Sequence, residues 1–350
     1  MDSNTPVVTK ETKKRIRVDY EGKLSFKERL KNKLKASNTW IKAAINVIRF
    51  LLMLGVSYVI LYPFFARIAS SFMTKEDLVD ATVALIPKHF TLDTYKYIIL
   101  ENDYLSALFT TATIALLCAL VQTFIACMIG YGLSKFKFKG NTAVLIAVVV
   151  TMVIPPRVLE IALSRHFYYF DLGTVLVWDY PGILELIFGH PIDMRDTYWP
   201  FLIISFCGFA FKNGLYIYMM RQFFKGVPDE LEESAYVDGS GVFRTFFQII
   251  LPLSVPMMIT IFLFSFSWQW TDQFYVDVFL PDADKKIQTM FELYSQIPET
   301  LKDPTFPGWT LYENAIKNTS SLLIILPLVI IYLFCQKYLV QGIERSGLVG

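Results

Sequence analysis

The residues with most to say about chemistry lie between Arg221 and Pro256. Asp229, Glu230, Glu232 and Glu233 follow Pro228 at the start of a predicted helix, where the positive end of the helix dipole favours carboxylates. Pro228 suits a first helical position, and Leu231 and Ala235, four apart, share one face. Asp238-Gly239 is a turn signal, and Ser240 can cap the next helix. The chain then enters an apolar stretch through Phe246, Phe247, Ile249, Ile250 and Leu251. A short amphipathic helix held there can lay its apolar and small face in a groove of another protein while its acids stay solvated. An acidic surface helix without a partner is the plain alternative.

A second group could touch a polar solute. Lys212, followed by Asn213, lies inside an otherwise uncharged run. It can snorkel to the headgroups, pair with an acid of another subunit, or line a path. Trp268, Trp270 and Asp272 cluster where another apolar run ends. Aromatic side chains gather at membrane interfaces whatever the function, and their flat faces can also stack on sugar rings while Asp272 accepts hydroxyl hydrogen bonds. Pro252 and Pro256, one turn apart, should bend their helix, either as a static kink or as a flexing point. Catalytic signatures are missing. The only Gly-Lys pair is Gly22-Lys23, followed by Leu24, so the chain has no phosphate loop for ATP. His89, His166 and His190 are isolated, and Cys118, Cys127, Cys207 and Cys335 have no metal or disulfide spacing. No metal, cofactor or enzymatic activity is expected of the chain itself.

These residues need a membrane scaffold. Of 350 residues, 54% are hydrophobic and 18% charged, too apolar for a soluble chain of this length. Six long apolar runs with little charge can each span a bilayer, at about 47–67, 105–134, 140–160, 197–221, 246–271 and 318–337. The net charge of +2 hides a strong asymmetry, because 13 of the 33 Lys and Arg precede Phe50 against five acids. With the N-terminus inside, the inside segments hold 21 basic residues and the outside loops 11. Both termini are therefore expected in the cytoplasm. The basic tail 1–46 reads as an interfacial helix with Phe26, Leu30 and Leu34 on one face, or as a disordered tail. It offers no signal peptide, and its charge suits lipid better than nucleic acid. Residues 222–245 form an inside loop, and 346–350 an inside tail.

The spacing from Pro228 to Pro252 resembles the cytoplasmic motif of permease subunits of binding-protein-dependent ABC importers: E-A-A, three residues, G, nine residues, I-x-L-P. Glu233-Ser234-Ala235, Gly239, Ile249 and Leu251-Pro252 match it with Ser234 for Ala. Pro228, Glu230, Leu231, Glu233, Ala235, Asp238 and Gly239 match the longer form of the sugar permeases. Gly130 to Lys135 with Phe138-Lys139-Gly140, Leu61-Tyr62-Pro63, Phe90-Thr91-Leu92 and Ser267 to Phe274 resemble other signatures of that family. Leu348-Val349-Gly350 resembles its C-terminus, lacking the Lys. The likeness runs from about residue 47 to the end and is nearest to maltose-transporter-like permeases. An outside segment at about 171–197 departs from the family pattern and reads as an extracellular or re-entrant cap.

The resemblance implies an all-α, polytopic membrane protein of type I ABC importer permease kind, with six transmembrane helices and a cytoplasmic coupling helix. It implies import of a carbohydrate, of oligosaccharide size, across the bacterial cell membrane. Glu230, Leu231, Glu233, Ala235, Asp238, Gly239, Leu251 and Pro252 would transmit closure of the ATPases. The implied partners are a second homologous permease, two ATP-binding subunits carrying ATP and Mg, and an extracellular solute-binding protein. The alternatives are a peptide, polyamine or anion as cargo, or a membrane-embedded glycan or lipid transferase.

Overall fold

The computed structural model describes residues 37–345, except 172–181, 211, 282–288, 291–296, 298–301 and 303–304. The expected tail helix around Phe26–Leu34, part of the cap at 171–197 and the C-terminal Leu348-Val349-Gly350 lie outside the described residues. Helices account for almost all regular structure; the only β pairing among the described residues is two isolated bridges, Met73 with Phe90 and Phe170 with Ile192.

The chain divides between Phe65 and Ala66 into two units. The first holds most of α1 (Ser37–Ser70), whose apolar side chains are exposed from Ile41 to Phe65, as a helix apolar on all sides must be when lipid is its solvent. The second unit is built around α4 (Tyr104–Lys135). Short helices α2 (Lys75–Val79) and α3 (Asp93–Leu100) precede it. After it come α5 (Asn141–Val153), a 3-10 turn, α6 (Glu160–Tyr168), α7 (Ile183–Phe188), α8 (Trp199–Phe206) and α9 (Asn213–Lys225). Then follow α10 (Glu230–Val237), α11 (Val242–Thr245), α12 (Leu251–Trp270), α13 (Phe274–Phe279) and α14 (Trp309–Arg345).

The buried face of α4 is rich in small residues, including Ala107, Ala115, Ala119, Ala126 and Gly130. Small side chains let membrane helices approach closely where no hydrophobic effect drives them together. At Gly130 the approach is closest: a Cβ there would lie 2.6 Å from Met220 Cβ on α9. α4 packs against α8, α9 and α12, and α12 packs against α14.

Six continuous spans were expected; the described residues give four, Ala44–Ser70, Tyr104–Lys135, Val242–Trp270 and Trp309–Tyr338. The run at 140–160 is bent by 100° between Asn141–Val153 and Pro156–Tyr168. Pro155 and Pro156 cannot donate to the helical ladder there. The run at 197–221 is split into α8 and α9, with left-handed backbone at Gly208 (φ +75°) and Lys212 (φ +73°). An uncharged run reports composition, and composition does not register such a change of direction.

Candidate docking and passage sites

The 226–252 segment folds as a helix between two glycine turns. Pro228 precedes the helix rather than opening it, and Asp229 is the N-cap residue of the eight-residue α10. Its other end is a Schellman closure. The Ser240 N–H donates to Ala235 O at 2.9 Å and the Gly239 N–H to Tyr236 O at 3.0 Å. Gly239 takes the left-handed conformation this requires (φ +83°). Ser240 does not cap the following helix; its hydroxyl accepts from the Thr245 hydroxyl at 3.1 Å. From Phe246 to Ile250 the backbone widens to a π-helix, and the Leu251 N–H donates to Phe246 O. Pro252 comes next in sequence, with no N–H to offer, which suits a local widening of the ladder. Leu251 packs partly against the core and Pro252 is exposed, so neither belongs to the surface of α10.

The faces of α10 differ from the expectation. Ala235 (6% exposed) turns into its own bundle, together with Glu232 (7%). Glu230, Leu231, Glu233, Ser234, Val237 and Asp238 are exposed, with Val237 at 88%. The surface free for a partner is therefore the Leu231, Ser234 and Val237 row with its flanking acids, not a Leu231–Ala235 face. Beneath it, Tyr131 Oη donates to Glu232 Oε2 at 3.1 Å. Lys135 Nζ donates to the Val227 carbonyl at 2.7 Å and to the Asp229 carboxylate. The Lys135 ammonium holds the Asp229 carboxyl below the usual carboxylate range. Glu232 was read only as one of the first-turn acids, and Tyr131 and Lys135 only as part of the Gly130 to Lys135 signature; that they meet was not foreseen. Tyr131 and Lys135 stand i, i+4 on the last turn of α4.

The second site lies at the breaks in the two interrupted runs. Lys212 Nζ sits over the Trp268 ring, 4.6 Å from its centroid. Lys212 lines a largely apolar cavity of about 530 Å³ with Thr151, Leu163, His166 and Phe274. An adjoining polar cleft of about 290 Å³ is lined by Arg157, Glu160, Trp268, Gln269, Asp272 and Asp277, and Pro156, Phe274 and Tyr275 border both. Asp272 accepts the Tyr275 N–H at 3.0 Å. So Lys212, Trp268 and Asp272 come together around one opening. Trp270 does not join them: it is buried, and its Nε1–H donates to Ile324 O at 2.9 Å. Asn213 is also buried and faces Ser205 O. Arg157, Glu160, Gln269 and Asp277 complete the cleft; Arg157 and Glu160 are marked in the sequence only by the Pro155-Pro156 break just before them.

Fold and sites define an all-helical, multi-pass membrane protein with a short helix displayed at one end of its bundle. Residues 122–345 match the family described as "Binding-protein-dependent transport system inner membrane component", and the chain belongs to that family. Protein LplC of Bacillus subtilis (strain 168) is 27% identical over 321 residues, covering 89% of this chain and 97% of its own. The polygalacturonan/rhamnogalacturonan transport system permease protein YtcP of the same organism is 28% identical over 305 residues, covering 86% and 96%. The arabinooligosaccharides transport system permease protein AraQ, also of B. subtilis, is 26% identical over 304 residues, covering 86% and 94%. Among solved structures, a chain of a bacterial ABC transporter involved in the import of the acidic polysaccharide alginate superposes with a TM-score of 0.63. It is 20% identical, and the match covers 85% of this chain and 96% of that one.

Proposed function

We propose that this chain is the membrane permease subunit of an ABC importer that moves a carbohydrate, of oligosaccharide size, into the cytoplasm. Separate subunits bind ATP and Mg and supply the energy. The observation that carries the reading is α10: an eight-residue helix, closed at both ends, that exposes Leu231, Ser234 and Val237 in one row. Such a surface fits a groove on an ATPase subunit. The saccharide named for YtcP and AraQ supports the cargo class. The cleft with Trp268 at its edge and Glu160, Gln269, Asp272 and Asp277 in its lining suits a neutral sugar ring, which stacks on an aromatic face and exchanges hydrogen bonds with its rim.

In this reading the α10 end faces the cytoplasm, together with both termini, and a solute-binding protein delivers cargo at the opposite end. A second, related permease completes the path, and a second ATPase docks on that subunit. ATP binding closes the ATPases and draws the two docking helices together.

The test is a photo-cross-linking residue in the assembled transporter. Placed at Val237 (88% exposed), it should capture the ATPase subunit; placed at Ile86 (83% exposed), in the loop before α3, it should not. Capture from Ile86 and none from Val237 would reverse the assignment.

A further inference from the structure

We propose that Lys135, with Tyr131, is the joint that makes the docking helix move with α4. It is a positioning role, and it rests on the reading of α10 as the docking helix. On either side of α10 the chain passes through glycine: Gly226 before it, Gly239 and Gly241 after it. Glycine has no side chain, so at these three positions only backbone ties α10 to its neighbours. Beneath α10, side-chain contacts add to that tie. Lys135 Nζ holds the Val227 carbonyl and the Asp229 carboxylate, and it stands 3.6 Å from Glu232 Oε1. Tyr131 holds the other oxygen of the same Glu232. The Lys135 and Glu232 side chains are 7% and 9% exposed, so their attraction is little screened.

The joint is seated in a firm base. The Tyr131 ring is wedged between Phe136, Phe224 and Phe246, with centroids 5.4, 5.5 and 5.0 Å away. One residue earlier, Gly130 brings α4 into contact with the α9 backbone. From Lys135, α4 runs about 20 Å to Gln122 at 1.5 Å per residue. Gln122 donates to the Ser205 hydroxyl, beside the break between α8 and α9, at 3.0 Å. Its other amide atom accepts from Ser265 on α12 at 2.6 Å. It also lies 3.4 Å from Gln269 Oε1, at the cleft. One helix thus connects the docking surface to the passage: Lys135 grips α10 at one end, and at the other Gln122 grips α8 and α12 and reaches Gln269 of the cleft.

The prediction is a loss of coupling. In the complete transporter, reconstituted with its ATPase subunits and binding protein, Lys135→Met should lower solute taken up per ATP hydrolysed by about tenfold, the scale of a site-to-site coupling. The ATPase subunits should still co-purify. Lys135→Arg, which keeps the charge, should restore most of the coupling, and Lys139→Met, an exposed neighbour, should change it by less than about twofold. Uptake per ATP near the wild-type value in Lys135→Met would overturn the proposal. If Lys135→Met does not assemble, Tyr131→Phe decides, because it keeps the ring packing and removes only the hydroxyl. A clear fall in uptake per ATP supports the joint, and a wild-type ratio refutes it. A wild-type chain that holds no ATPase subunit would overturn the docking reading itself, and this proposal with it.

Discussion

Gly239 allows the closure of α10, the proposed docking helix, to be tested as a conformational property. Its φ of +83° lies in the left-handed region, and a Cβ added there would meet nothing within 4 Å. Any cost of a side chain is therefore backbone strain, not collision within the subunit. An L-residue held left-handed costs about 1–2 kcal/mol, least for Asn and most for a β-branched residue. At about 1.4 kcal/mol per decade, Gly239→Ala should reduce the population of the closed turn about five- to thirtyfold, Gly239→Asn less and Gly239→Val more. Gly239→Pro adds a second loss. It fixes φ near −65° and removes the N–H that donates to Tyr236 O at 3.0 Å, for about 3 kcal/mol or more. The assay is ATP hydrolysis stimulated by cargo-loaded binding protein, beside a thermal melt of the same complex. The expected order is Gly, Asn, Ala, Val, Pro. Val performing as well as Asn would refute the strain argument, because side-chain size alone has no contact to act through.

Three further outcomes rest on separate contacts. Gly130→Val, pressed against Met220 Cβ at 2.6 Å, should cost about 1–3 kcal/mol of stability, whereas Gly132→Ala, with nothing within 4 Å, should be neutral or stabilising; melting of the purified protein in detergent compares them. Removing Lys212 or Trp268 breaks the contact at 4.6 Å, worth about 0.5–2 kcal/mol, and should raise the half-saturating concentration for uptake with binding-protein affinity intact. Asp77 accepts the His89 N–H at 2.7 Å, which holds its carboxyl below the usual range. A depressed folded pKa stabilises the loop above the ordinary carboxylate pKa, and that stability fades as pH falls below about 4. The protection factor of the His89 amide, its observed exchange relative to the intrinsic rate at the same pH, should therefore fall below about pH 4 in the wild type, and Asp77→Asn should remove this dependence.

The position of α10 was legible because its signals are local. Carboxylates behind Pro228 and the Asp238-Gly239 turn set the position of α10 without help from the rest of the chain. Which face turns inward was not legible, since Glu232 is drawn down by Tyr131, a hundred residues away. Ala235 looked like a docking residue for the same reason; its burial depends on the bundle beneath. The interrupted spans show another limit. Lys212 stood out by charge alone, but the left-handed backbone that places it over Trp268 has no mark in an uncharged run. Trp268 and Trp270 were grouped together in the sequence, although two residues are about 200° apart around a helix axis and only one can face the cleft. Trp268 does, and Trp270 is buried at the α14 contact.

The central claim is import powered by a partner. Its most direct test is uptake of labelled oligosaccharide by vesicles holding this chain, its companion permease and the ATPase subunits, with the binding protein outside and ATP enclosed. The account predicts accumulation that requires ATP and the binding protein together and disappears in Gly239→Pro. Uptake that proceeds without ATP, or the same uptake from Gly239→Pro as from the wild type, would contradict it.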